Sequence, residues 1–92
     1  MKEVMVTGSA NPQPNTEAEW PADADVVRVT NDILDNVGCL ASTGSVAEGH
    51  EVQVIPHTTL GAVVYGASGS PHSISYGNTA TFKYESGVWN LQ

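Results

Sequence analysis

The sequence has little of several things, and each shortage excludes a class of protein. Cys39 is the one cysteine among 92 residues, so no disulfide can form within the chain. The only basic residues are Lys2, Arg28 and Lys83, against ten acidic ones, and the net charge is -7. Because phosphate backbones bind clustered Lys and Arg, this balance excludes a nucleic-acid partner. An anionic membrane surface is disfavoured for the same reason.

Long apolar runs are also missing. No segment approaches the roughly 20 apolar residues that a membrane span requires, and residues 1–7 lack the apolar stretch of a secretory signal. We therefore expect synthesis in a reducing cytoplasm, where Cys39 is a buried apolar residue rather than a nucleophile. A final location outside the cell stays open, if the protein leaves as part of a larger particle.

The chain consists instead of short segments typical of β-strands. The clearest four are rich in β-branched and aromatic side chains and are separated by glycine-bearing turns; they are residues 51–55, 61–65, 79–84 and 88–91. Residues 25–30 predict a further strand, and residues 37–42 a shorter one that carries Cys39 or Leu40 inward. Between them, residues 30–38 form either one capped helical turn or a wide irregular turn.

Local patterns also predict faces and one connection. Val52 and Val54 alternate with polar residues, as in a half-buried strand. Residues 84–88 predict a hairpin with a three-residue loop in which Gly87 takes the left-handed conformation. With no helical periodicity beyond one turn, the fold class is all-β: a small antiparallel β-sandwich, jelly-roll or barrel.

Residues 1–24 differ in composition and predict an N-terminal arm on a β domain of residues 25–92. Residues 2–7 form a possible edge strand. Residues 8–24 are rich in proline, which fixes φ and removes backbone donors, so we expect an extended segment.

Two interpretations of this arm remain open. It is either a mobile linker or a segment that adheres to a neighbouring subunit, anchored by Trp20. The second hypothesis names the contact residues as Val4, Val6, Pro12, Pro14, Trp20 and Pro21.

A chain of this size has a thin core, since it buries only roughly 60–65% of the surface that its unfolded form exposes. Small folds compensate with disulfides, metals or subunit contacts. With one cysteine and no cluster at metal-ligand spacing, self-association is the expected remedy, and a marginal monomer is the alternative.

Catalytic and metal motifs are weak. His50 and His57 flank one strand, seven residues apart, so they point to opposite faces and lie about 23 Å apart. Residues 66–70 resemble a nucleophile elbow, but Ser70 stands where the last glycine is required. We expect no enzymatic activity and no cofactor.

Two acidic pairs, Asp23 with Asp25 and Asp32 with Asp35, share faces of their segments. Neither pair offers the six or more oxygen ligands that calcium prefers, so solvated acids are the favoured interpretation and no metal is expected.

Aromatic residues suggest one binding alternative. Trp20, Tyr65, Tyr76, Tyr84 and Trp89 either form a carbohydrate platform or pack in the core. The ligand loop on the first interpretation comprises Tyr65, Ser68, Ser70, His72 and Tyr76.

Three short motifs carry a family resemblance: residues 63–69 (Val-Val-Tyr-Gly-Ala-Ser-Gly), 77–82 (Gly-Asn-Thr-Ala-Thr-Phe) and 87–89 (Gly-Val-Trp). Over residues 50–92 the chain resembles small virion surface proteins of tailed bacteriophages. The resemblance implies a β-barrel or β-sandwich that assembles as a trimer. It implies a capsid decoration (cement) subunit that binds the major capsid protein on the virion surface; the alternative is a host-recognition module of a tail fibre or spike that binds glycan.

Overall fold

The structure is a computed structural model in which residues 1–30 and 38–92 are described. The described residues form eight strands: β1 (Glu3–Thr7), β2 (Val26–Thr30), β3 (Gly38–Leu40), β4 (Glu51–Pro56), β5 (Ala62–Tyr65), β6 (His72–Ile74), β7 (Ala80–Glu85) and β8 (Val88–Leu91). They contain no helix, so the prediction of an all-β fold is confirmed. The predicted turn over residues 30–38 lies almost entirely outside the described residues.

Across the described segments, no helix has the length and apolar character needed to cross a membrane.

Two sheets make up the described fold. The larger has the strand order β1-β2-β4-β7-β8 and the smaller has the order β3-β5-β6. The prediction of a purely antiparallel arrangement is wrong, since the pairs β1–β2, β2–β4 and β3–β5 are parallel. Parallel neighbours need a connection of roughly a dozen residues or more. Residues 8–25 provide such a crossover between β1 and β2. The connection from β2 to β4 includes β3, which belongs to the smaller sheet.

The core lies between the two sheets and is filled from both. Its largest fully buried side chains are Trp20, Phe82, Val27, Val29, Val52, Val54, Val64 and Cys39. Val52 and Val54 share the buried face of β4, as their alternation predicts. The two sheets therefore bury their apolar faces against each other.

Residues 8–24 pack on their own domain. Ser9 and Gly38 exchange two backbone hydrogen bonds of 2.9 Å, and Leu40 bonds to both Ala18 and Trp20, so this segment covers the outer edge of β3. Trp20 is only 1% exposed, with its ring centroid 5.5 Å from that of Trp89. The hypothesis that Trp20 anchors the segment on a neighbouring subunit is therefore wrong. Filling the space between two small sheets requires its large apolar ring.

The hairpin between β7 and β8 is tighter than predicted. Glu85 pairs with Val88, which leaves Ser86 and Gly87 as a two-residue loop instead of a three-residue one. Their φ angles of 55° and 80° are those of a turn that matches the twist of the strands. The left-handed conformation of Gly87 and the direct pairing of the last two strands are confirmed.

Candidate functional site

Two of the three histidine side chains make structural contacts. His50 Nε2 lies 2.7 Å from the Ala24 carbonyl oxygen, and His72 Nε2 lies 2.7 Å from that of Ser68. The His72 ring also packs edge-on against Phe82, at a centroid distance of 5.6 Å. In residues 1–30 and 38–92, no three His, Cys, Asp or Glu side chains are grouped so as to hold a metal ion.

Cys39 is fully buried, as the sequence predicts. Burial in apolar surroundings raises the pKa of its thiol to about 12. Because the thiolate is the reactive form, the side chain acts as a small apolar residue of the core.

The residues of the predicted ligand loop do not share one environment. The Ser68 amide donates to the Trp89 carbonyl at 2.8 Å, which ties the loop to the edge of β8. The Tyr65 ring packs against Gly38. Tyr76 is 56% exposed and lies in the turn that follows β6, beside Arg28 and His57.

Strand β1 presents an open backbone edge. The Lys2 carbonyl accepts from the Val26 amide, and the Gly8 amide donates to the Thr30 carbonyl. In a parallel pair alternate residues face the partner, so the even-numbered residues face β2 and Glu3, Met5 and Thr7 face away.

One of the outward-facing backbone groups of β1 already has a hydrogen-bond partner. The Thr7 amide donates to the Glu17 carbonyl at 3.3 Å, whereas the backbone groups of Glu3 and Met5 have no partner among the described residues. The other sheet edges are covered in part or shorter: residues 9–20 cover β3, Ser68 bonds to β8, and β6 has three residues. β1 is therefore the longest open edge in the described part of the chain, and unpaired edges are templates for strand addition.

A groove of about 430 Å³ runs beside this edge. It is lined by Val4, Met5, Val6, Thr7, Glu17, Glu19 and Pro21. Three of the predicted contact residues, Val4, Val6 and Pro21, thus come together here, whereas Trp20 lies in the core and Pro12 and Pro14 lie outside the groove lining. Val6 is itself 3% exposed, so Val4 and Met5 provide the accessible apolar surface.

Glu19 is one of the two acidic residues that line the groove, and hydrogen bonds fix its carboxylate. Its carboxylate accepts hydrogen bonds from the Asn15 amide and from the Thr43 amide and hydroxyl, the last two at 2.6 Å. Partial burial raises the pKa of Glu19, but these three hydrogen bonds outweigh it, and the net pKa lies below its usual value. The carboxylate therefore joins the turn around residue 16 to the loop after β3.

Protonating the Glu19 carboxylate is expected to weaken these hydrogen bonds between the two segments. A carboxyl whose folded-state pKa is depressed stabilises the fold at pH values above its unfolded-state pKa, which is near 4.5. This stabilisation is lost as the pH falls through the folded-state pKa. We expect Glu19→Gln to lower the free energy of unfolding at neutral pH and to flatten its decline below about pH 4.5. Urea unfolding followed by tryptophan fluorescence between about pH 7 and pH 3 measures both effects.

Glu17→Gln is the matched control, because it removes an exposed carboxylate from the same segment. Its pH profile should coincide with that of the wild type. A Glu19→Gln profile equally steep in acid would contradict the assigned role of the Glu19 carboxylate.

Sequence reasoning missed Met5, Glu17 and Glu19. The sequence pattern could have identified Met5, because a residue between Val4 and Val6 in an edge strand points outward when those two point inward. The two glutamates carry no local signal, since the crossover alone brings them beside β1.

Comparisons of the chain with protein-family models, with curated protein sequences and with solved structures return no match.

Proposed function

We propose that this chain is a non-enzymatic virion protein of a tailed bacteriophage, a capsid decoration subunit that binds the major capsid protein on the head surface as a homotrimer. The motif resemblance over residues 50–92 supports this function. A small β core also suits a subunit that gains stability from its neighbours.

The observation that carries the proposal is the open edge of β1 with the groove beside it. An extended segment of the capsid protein adds to β1 as a sixth strand and bonds to the free backbone groups of Glu3 and Met5. Its alternate side chains contact the apolar surface of Val4 and Met5. Backbone pairing supplies affinity, and the groove supplies selectivity.

Each such contact buries little surface, and a trimer compensates by making the same contact three times. A strand added over a few residues buries less surface than a standard protein interface. On a trimer, three copies of the contact act together, so the apparent affinity exceeds that of one contact by orders of magnitude.

Met5→Pro tests this attachment. The Met5 amide faces away from β2, so proline removes no hydrogen bond of the sheet, and edge strands tolerate proline at such positions. Its ring occupies the place of the free amide and blocks an incoming strand. We expect binding to heads depleted of this subunit to weaken about tenfold or more in a co-sedimentation assay, with little change in unfolding free energy.

Met5→Leu is the control, because it keeps both the backbone amide and an apolar side chain of similar volume in the groove. It should retain binding. Wild-type binding by Met5→Pro would exclude the β1 edge as the contact, and absence of the chain from purified virions would overturn the proposed function itself.

A further inference from the structure

A second depression lies on the outer face of the larger sheet. Its volume is about 350 Å³, and it is formed by the end of β4 and the turn that precedes β7. The polar groups that line it include Arg28, His57, Tyr76, Asn78 and Thr79. It shares no lining residue with the groove beside β1.

The backbone around this depression is held by hydrogen bonds. Val27 and Val29 point into the core, so Arg28 between them points outward, next to Ile55 in the register of β2 and β4. The His57 amide donates to the Val29 carbonyl at 2.8 Å.

The turn on the other side is fixed as well. The Asn78 amide donates to the Ser75 carbonyl at 3.0 Å, and Gly77 takes a φ of 92° that other residues rarely adopt. Tyr76 and Asn78 are therefore presented on a defined turn, which lowers the cost of ordering them around a ligand.

The electrostatic character of the depression differs from that of the whole chain. Arg28 is one of three basic residues in a chain of net charge -7. Its contact with Glu3 is long, at 3.6 Å, and both side chains are about half exposed. Such an exposed pair contributes little and yields readily to a ligand carboxylate, which a guanidinium binds through two parallel hydrogen bonds.

Tyr76 supplies the second recognition element. Tyr76 is 56% exposed, and its ring carries a hydroxyl at its tip. An exposed ring packs against the C–H face of a pyranose, while the hydroxyl and the neighbouring amide of Asn78 bond to sugar hydroxyls. A small anion is too small to pack against the ring, and a neutral sugar cannot form the charge-assisted pair of hydrogen bonds that a carboxylate forms with the guanidinium.

We propose that this depression binds a carboxylated sugar, with the carboxylate on Arg28 and the sugar ring on Tyr76. The site goes beyond capsid attachment and does not depend on it. It gives the subunit a means of holding one acidic sugar at the end of a glycan on an exposed surface.

The test is a ¹H–¹⁵N NMR titration of the full chain with glucuronic acid and with N-acetylneuraminic acid. We expect saturable shifts at the amides of His57 and residues 76–79, with a dissociation constant in the millimolar range. Arg28→Gln and Tyr76→Ala should each weaken binding about tenfold. Glu3→Gln should strengthen it, because the competing carboxylate is removed.

Lys83→Gln is the matched control. Lys83 occupies the outward-facing register of β7, so this variant removes the same charge from the same face but outside the depression. It should bind as the wild type does, and the spectrum of each variant reports whether it is folded.

Three outcomes would overturn the proposal. Equal binding of glucose would show that the carboxylate is not recognised. Equal binding of acetate or inorganic phosphate would show a simple anion site. An equal loss in Lys83→Gln and Arg28→Gln would show general attraction to the sheet face. None of these outcomes affects the capsid assay with Met5→Pro.

Discussion

Replacing Trp20 by alanine is expected to lower the free energy of unfolding by about 3–5 kcal/mol. The Trp20 ring is 1% exposed and contacts both Phe82 and Trp89, at centroid distances of 6.1 and 5.5 Å. Its loss leaves a cavity at the centre of the core. A domain of this size has a total stability of about 5–14 kcal/mol, so the variant should lose a large fraction of that stability and unfold at a lower urea concentration. Urea unfolding followed by circular dichroism measures the difference.

Trp20→Phe is the matched variant. The Trp20 indole N–H is buried and has no hydrogen-bond partner in the described structure, so phenylalanine leaves a smaller cavity and breaks no hydrogen bond. By contrast, Trp89→Phe also loses the bond from the Trp89 indole to the Ser42 carbonyl, 3.1 Å long. We therefore expect the loss of stability to increase in the order Trp20→Phe, Trp89→Phe, Trp20→Ala. An unchanged unfolding free energy in Trp20→Ala, with loss of subunit association alone, would restore the hypothesis of an intersubunit anchor.

Gly38→Ala is expected to destabilise the protein by about 3 kcal/mol. A methyl group at Gly38 would lie 2.6 Å from the Val63 carbonyl oxygen and also overlap the Tyr65 ring. Gly38 pairs with Val63 in the smaller sheet, so the oxygen cannot withdraw unless the pairing of β3 and β5 shifts. The backbone of Gly38 also bonds to Ser9, so a shift would loosen the crossover that carries Trp20.

Gly44→Ala controls for the loss of glycine itself. The nearest atoms to a methyl group at Gly44 lie at 3.6 Å, an ordinary contact, so its effect should remain within about 0.5 kcal/mol. Thermal unfolding of the two variants side by side provides the comparison. Equal melting temperatures would contradict the close approach of β5 and Tyr65 to Gly38.

Much of the local structure could be predicted because it depends on neighbouring residues. Alternation placed Val52 and Val54 inside, and residues 84–88 indicated a hairpin with Gly87 in the left-handed conformation, although its loop is one residue shorter than predicted. Strand β6 was missed, because its three residues, His72–Ile74, lie between polar and proline-containing turns and show no clear alternation. Val4, Val6 and Pro21, which the sequence names as contact residues, are among those that line the candidate groove, whereas nothing in the sequence indicates its acidic side.

By itself, the sequence determined that this chain forms short strands with one buried face and a negatively charged surface, since alternation, turn residues and charge are readable within a few positions. Only the tertiary structure decided that Trp20 belongs to the core and that Arg28 and Tyr76 line one depression. These features depend on parallel pairings made through long crossovers. Which distant segments such crossovers bring together is set by packing between the sheets, and short-range patterns carry no record of it.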